Sequence, residues 1–157
     1  MPTWIWAVDK DLTQDGFLGG KLRVFQPRKG YRAGVDPVLL AASIAAKPGQ
    51  SILELGCGVG VASLCISARV AGVAFTGVEL QEDYATLARK NAVENAADLT
   101  VINADLRKLP AEVRQQRPAV LVPLATADAA PAPGVQHKVA LEVRGEEEAR
   151  PAARQRA

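Results

Sequence analysis

The residues with the most chemical content stand in one run, Glu54-Leu55-Gly56-Cys57-Gly58-Val59-Gly60, followed at intervals by Glu79 and Asp105. Glycines let a chain turn sharply after a strand and let its backbone approach a ligand with no Cβ in the way. Dinucleotide sites use that geometry in the pattern GxGxxG. Here the position of that third glycine is Val61, and the third glycine comes one residue early, at Gly60. A pyrophosphate held by such a loop would be repelled by the carboxylate of Glu54 directly before it. A sulfonium nucleoside such as S-adenosylmethionine has no phosphate, and its methionine end carries an ammonium that Glu54 or its water network accepts. Glu79, 19 residues past Gly60, is placed to take both ribose hydroxyls. Asp105, in Asn103-Ala104-Asp105-Leu106, can reach the exocyclic amine of an adenine. The alternative, a nicotinamide-dependent oxidoreductase, is disfavoured by the loop spacing and by Glu54.

These groups need strand ends to hold them. Ser51 to Leu55 is a short apolar strand, the glycines form the loop after it, and Val61 to about Val70 is a helix. Val73 to Glu79 is apolar on both faces, as a buried parallel strand must be. Glu82 to Asn95 has helical periodicity, with Tyr84, Leu87, Ala88 and Asn91 on one face. Leu99 to Asn103 is a third strand, and Ala119 to Val122 is a weak fourth before Pro123. Alternating strands and helices predict an α/β fold, a Rossmann-like doubly wound sheet with all three acids on one edge. Upstream, Lys21 to Phe25 alternates apolar and polar residues after Gly19-Gly20 and reads as half of a hairpin. Asp36-Pro37 opens a helix, with Asp36 as the cap and Pro37 in the first position. Lys47-Pro48-Gly49 stops it after about Ala46. The segment Gly30 to Asp36 can fold over a cofactor from the N-terminal side.

Length and composition set outer limits. The chain has 157 residues and a formal net charge of +2, enough for one domain and too little charge to establish a nucleic-acid partner. Between Asp15 and Arg32, however, five basic residues stand against the single acid Asp15, a patch that can meet phosphates. All seven aromatic residues lie in the first 84 positions, and from Pro118 the chain is rich in Ala, Pro, Arg and Glu. The organisation predicted is a leader at 1–14, a cofactor-binding domain at 15–117, and an atypical, mostly disordered tail at 118–157. Cys57 and Cys65 make no CxxC pair and His137 stands alone, which disfavours a metal site or a disulfide framework and fits a reducing, cytoplasmic compartment. Trp4 to Val8 is too short for a secretory signal, and no apolar run is long enough to span a membrane.

With these residues in place, the chain resembles the tRNA (adenine-N6)-methyltransferases of the wider methyltransferase small-domain group, over about Asp15 to Arg117. The likeness rests on Phe17-Leu18-Gly19-Gly20, the stretch Gln26 to Asp36, Leu39-Leu40-Ala41-Ala42, Leu53 to Gly60, and Gly77-Val78-Glu79-Leu80. The glycine loop is common to most class I methyltransferases; Gln26 to Asp36 narrows the family. The resemblance implies a seven-stranded sheet, S-adenosylmethionine as methyl donor, and tRNA or another structured RNA as substrate. Carried over by motif, Glu54, Gly56, Gly58 and Gly60 surround the methionine end, Glu79 holds the ribose, and Asp105 the adenine. Tyr31, Arg32, Gly34 and Asp36 close over the cofactor, and Cys57, Leu80 and Leu106 complete the cofactor-binding set. Arg28, Lys29 and Arg32 are the RNA contacts.

The family also has an Asn-Pro-Pro-Tyr motif after its fourth strand, which grips the target amino group and stacks on the flipped base. This sequence has Pro118-Ala119-Val120-Leu121-Val122-Pro123-Leu124 there, and no Asn after Asn103. No catalytic residue is assigned for that reason, and the catalytic half is expected to be truncated or altered by a change of reading frame. Two alternatives stay open: a related methyltransferase acting on ribosomal RNA or on a protein glutamine, and a cofactor-binding fragment without activity.

Overall fold

A computed structural model describes residues 11–122, 124–125, 137–138 and 141–142. The leader's residues 1–10 and most of the tail lie outside the described residues. The described residues open with a hairpin: β1 (Leu12–Phe17) pairs antiparallel with β2 (Leu22–Pro27). Residues 12–14, grouped above with the leader, are therefore the first half of a strand, with Leu12 opposite Pro27. The second strand alternates more sharply than the first: Leu22, Val24 and Gln26 are buried and Arg23 is exposed.

Helix α1 (Asp36–Ser43) follows. Its cap position is Val35, and Asp36 is the first helical residue, with no side-chain cap bond. The carboxylate sits in the first turn, where it favours the positive end of the helix dipole without capping an N–H. The helix ends at Ser43, short of Ala46, because Ile44 turns extended, and Arg69 then takes the carbonyls of Ala41 and Ile44 at 3.0 and 2.6 Å.

The sheet itself agrees with the pattern. β3 (Ser51–Leu55), α2 (Val61–Arg69), β4 (Ala74–Glu79), α3 (Glu82–Glu94) and β5 (Leu99–Asn103) follow in order, then a 3-10 turn at Leu106–Lys108, a short α4 (Ala111–Arg114) and β6 (Val120–Val122). Strands β3, β4, β5 and β6 are parallel in the order β5-β4-β3-β6. The chain moves outward from β3 to β5 and then returns to the other side of β3. That reversal at β3 is a topological switch point, where ligands of open α/β sheets bind. Three two-residue strands complete the described residues: β7 (Leu124–Ala125), β8 (His137–Lys138) and β9 (Leu141–Glu142), with β7 paired to β8 and β9 set antiparallel beside β6.

Two apolar clusters divide by sheet face. Ile52, Phe75 and Val120 pack with α1, α2, α3 and the hairpin, whereas Leu53 and Val78 pack with Val113 of α4. Adjacent residues of one strand fall into different clusters because side chains alternate across a strand. The helices thus lie on both faces, as a doubly wound fold requires.

The hairpin is docked by amides. Asn91 is fully buried; its Oδ1 accepts from the Phe25 N–H at 2.7 Å and its Nδ2 donates to the carbonyls of Phe25 and Val59 at 3.1 and 3.0 Å. Asn95 repeats this on Arg23, accepting from its N–H at 3.0 Å and donating to its carbonyl at 2.8 Å. Four helical residues rise about 6 Å and two strand residues advance about 6.7 Å, so two asparagines one turn apart match alternate residues of β2. They act as a substitute strand on an otherwise open edge.

Candidate cofactor site

Strand β3 delivers Glu54 and then the loop. Glu54 is 1% exposed and accepts from Ser63 Oγ of α2 at 2.6 Å. Gly56, Gly58 and Gly60 have φ of 69°, 56° and 88°, the left-handed region that costs a side chain energy. The N–H groups of Gly56 and Cys57 donate to the Val78 carbonyl at 2.7 and 2.9 Å, which hangs the loop on β4. A Cβ on Gly60 would meet Leu99 Cδ2 at 3.2 Å, so this position is also one of close approach. Cys57 is buried under the loop, its Sγ against the space left by Gly77.

Glu79 closes β4 and is 5% exposed. Its Oε2 accepts from the Gly58 N–H at 2.9 Å and its Oε1 from the Gln81 N–H at 2.9 Å. The carboxylate therefore braces the glycine loop against the end of the neighbouring strand. Each oxygen has a second acceptor direction, so two ribose hydroxyls can still be received. Asn103 at the end of β5 donates to the carbonyls of Glu79 and Leu80 at 3.0 and 2.9 Å and fixes that turn. Asp105 follows, half-buried; its Oδ1 accepts from the Arg107 N–H at 2.9 Å and its Oδ2 meets the Arg107 guanidinium at 2.6 Å. Those bonds to Arg107 hold its carboxyl down at about 2.

An open cavity of about 230 Å³ lies between the two strand ends, lined by Gly56, Glu79, Leu80, Gln81, Asp105, Leu106 and Arg107. Leu80 is 61% exposed beside it. Two carboxylates, two leucines and backbone without side chains suit a nucleoside: a diol at Glu79, an apolar base edge at Leu80 and Leu106, an amine at Asp105. The donor set fits S-adenosylmethionine; Glu54 lies buried behind the glycine loop and does not line this cavity. Among the described residues no cluster of His, Cys, Asp and Glu could hold a metal ion.

The segment between the hairpin and α1 crosses the loop. A Cβ on Gly58 would come within 3.8 Å of the Tyr31 ring. Tyr84 of α3 donates to the Tyr31 carbonyl at 3.1 Å, and the two rings stand 6.4 Å apart. Gly30 has φ of 96°, and a Cβ there would lie 3.0 Å from the Tyr84 hydroxyl. Gly34 and Asp36 are exposed at the start of α1. Arg32 points the other way. Its guanidinium donates to Asp15 at 2.7 Å, Thr13 at 2.8 Å and the Pro27 carbonyl at 2.6 Å, so it ties the segment to the hairpin. Arg28 and Lys29 are exposed just past β2.

Three supporting residues were given no site role by the sequence reading. Gln26, 1% exposed, accepts from the Ala33 N–H at 2.7 Å and donates to Asp15 at 2.9 Å and to the Ala33 carbonyl at 3.3 Å. Ser63 orients Glu54, and Asn91 holds the loop carbonyl of Val59. The signal was present for two of them. Gln26 occupies an inward register with Leu22 and Val24, and Asn91 sits on an apolar helix face; buried amides are there to make bonds.

Comparison with known proteins gives the family. Residues 52–132 match the family described as "Methyltransferase domain". The chain belongs to that family. It is a family of S-adenosylmethionine-dependent methyltransferases. The tRNA1(Val) (adenine(37)-N6)-methyltransferase of Yersinia enterocolitica is 33% identical over 81 residues, which are 51% of this chain and 32% of that one. The chain thus spans about a third of the length of the curated relative it matches. Among solved structures, the tRNA (uracil-54, C5)-methyltransferase of Pyrococcus abyssi, in complex with S-adenosyl-L-homocysteine, has a TM-score of 0.56 at 16% identity, covering 73% of this chain and 34% of that one. TYW2 of P. horikoshii, in complex with MeSAdo, has a TM-score of 0.54 at 20% identity, covering 64% of this chain and 38% of that one. These two likenesses show the methyltransferase fold.

Proposed function

We propose that this methyltransferase chain binds S-adenosylmethionine at the ends of β3, β4 and β5 and serves N6-methylation of adenine in a tRNA. The observation that carries the cofactor assignment is the convergence of Glu54, Glu79 and Asp105 on one sheet edge around the glycine loop. When bound, the cofactor supplies an electrophilic methyl group. The chain's own residues bind and orient: Glu79 receives the ribose, Asp105 the adenine amine, and Glu54 with its Ser63 partner the ammonium side. Tyr31 covers the glycine loop and restricts water there. Methyl transfer by a class I site works mainly through positioning, so a general base is not required.

The tRNA substrate is supported by the partial identity to the Yersinia enterocolitica enzyme and by the residues from Gln26 to Asp36. Arg28 and Lys29, exposed beside the Tyr31 segment, are candidate RNA contacts. A reducing, cytoplasmic setting goes with such a substrate and with two cysteines that form no CxxC pair. A second reading, cofactor binding without transfer, is favoured by one observation: Pro123-Leu124 follows β6 where the related enzymes carry Asn-Pro-Pro-Tyr.

Titration calorimetry with S-adenosylhomocysteine tests the site. Saturable binding is expected for the wild-type chain, and a loss of at least about tenfold in Glu79→Ala. A folded wild-type chain that takes up no ligand would sink the assignment. Labelled methyl transfer to bulk tRNA then separates the two readings: counts in N6-methyladenine support the enzyme, and tight binding with no counts supports the fragment.

A further inference from the structure

We propose that the outer face of the β1–β2 hairpin, completed by Lys90 of α3, is the surface on which the RNA lies, with Phe25 at its centre and Lys21, Arg23 and Lys90 supplying the charge. The inference rests on the reading above that the substrate is RNA, and it adds the place and the residues.

The hairpin sorts its charges by strand alternation. Asp15 is the only acid between Leu12 and Val35. It stands opposite Val24, on the side that faces the core, and is spent there on Arg32 at 2.7 Å and Gln26 at 2.9 Å. The other side is left with Arg23, exposed, and Phe25, half-buried. Opposite them on β1 stand Gly16 and Gln14, both exposed and uncharged. No acid of the hairpin therefore reaches this face. Lys90 joins it from the helix, its Nζ 3.7 Å from the centroid of the Phe25 ring. Lys21 extends the row at the turn, exposed. The one acid of α3 near Lys90 in sequence is Glu94, a helical turn further on.

The spacing suits a polyanion. Residues on one face of a strand advance by about 6.7 Å per pair, comparable with the step between successive phosphates of a polynucleotide. Positive side chains at such intervals track a backbone, and the Phe25 ring, packed against the core, seats the Lys90 ammonium in that row. The backbone of Arg23 and Phe25 is held by Asn95 and Asn91, so the face is presented on a fixed strand. The face runs from the cofactor side, where Gln26 and Arg32 tie the hairpin to the Tyr31 segment, to the opposite ends of β4 and β5, where Lys21 lies beside Val73 and Asp98.

The test is fluorescence anisotropy of the full chain with bulk bacterial tRNA over a series of KCl concentrations. Arg23→Gln/Lys90→Gln is compared with Lys47→Gln/Arg114→Gln, a charge-matched pair of exposed residues elsewhere. Two lost phosphate contacts lower the slope of log K against log salt by about 1.5. The first pair is expected to show that drop and about tenfold weaker binding, with melting temperature and S-adenosylhomocysteine affinity unchanged; the second pair is expected to stay near wild type. Equal losses in both pairs, no loss in the first, loss of cofactor affinity in the first, or no tRNA binding by the wild type would each overturn the surface. Methyl transfer is followed in parallel. Transfer that persists unchanged in Arg23→Gln/Lys90→Gln sinks the surface and leaves the tRNA reading standing. Binding through this face with no transfer by the wild type does the reverse.

Discussion

At position 77 a cysteine decides the residue. A Cβ on Gly77 would sit 2.8 Å from Cys57 Sγ and 3.1 Å from Cys57 Cβ, closer than packed atoms tolerate. Gly77→Ala should destabilise the chain by about 1–3 kcal/mol through overpacking, and urea denaturation would show it. Cys57→Ala in the same chain removes the sulfur and should recover part of the loss, because the Cβ contact remains. Asp105 gives a second residue-scale prediction. Its carboxyl is lowered from 3.8 to about 2 by hydrogen bonds from the Arg107 side chain and backbone. A lowered folded pKa means stability that is present above the unfolded value and lost as pH falls through the folded one; the window is roughly pH 4 to 2. NMR titration should place the Asp105 midpoint near 2, and Arg107→Gln should move it upward. A midpoint that stays put in the variant would mean the pairing is absent in solution.

Elements meet here through amides as much as through apolar packing. Asn91 and Asn95 replace a missing strand neighbour along β2. Asn91→Ala strands the part-buried N–H and C=O of Phe25 and the buried carbonyl of Val59, and an unsatisfied buried group costs about 1–3 kcal/mol. The variant should therefore lose several kcal/mol, while Asn95→Ala, nearer solvent, loses about 1 kcal/mol. Hydrogen exchange reads this locally: the Phe25 amide should exchange faster in Asn91→Ala and the Arg23 amide faster in Asn95→Ala. Uniform acceleration across the sheet in both would argue for global destabilisation instead. The elements themselves were mostly legible. β3 and β5 have the bounds their apolar runs predicted, and α3 differs by its last residue. The differences lie at ends set by tertiary contact. α1 stops at Ser43, with Arg69 from another helix holding its last carbonyls. β1 starts at Leu12 because β2 is there to pair with it.

On the scale of the whole molecule, both cysteines are buried. Burial, and then the charge of Glu54, push the Cys65 thiol from 9.0 to about 11. The folded chain thus keeps a proton that the unfolded chain releases, so stability should be full below pH 9 and fall as pH rises toward 11. Thermal melts across that range check it, and Cys65→Ala should flatten the decline. What the sequence by itself determined is the local and periodic content: the strand–helix alternation, the glycine loop with its early third glycine, and the acids at strand ends. These are legible because each depends on spacing along one chain. The tertiary structure alone decided the partners. It turned Glu79 into a brace for Gly58, bound Arg32 to the hairpin, set Tyr31 over the loop, and gave Gln26 and Asn91 their bonds. Side-chain amides, carboxylates and guanidiniums find partners by position in space, as far as 72 residues along the chain for Asn95 and Arg23, and no local pattern encodes that distance.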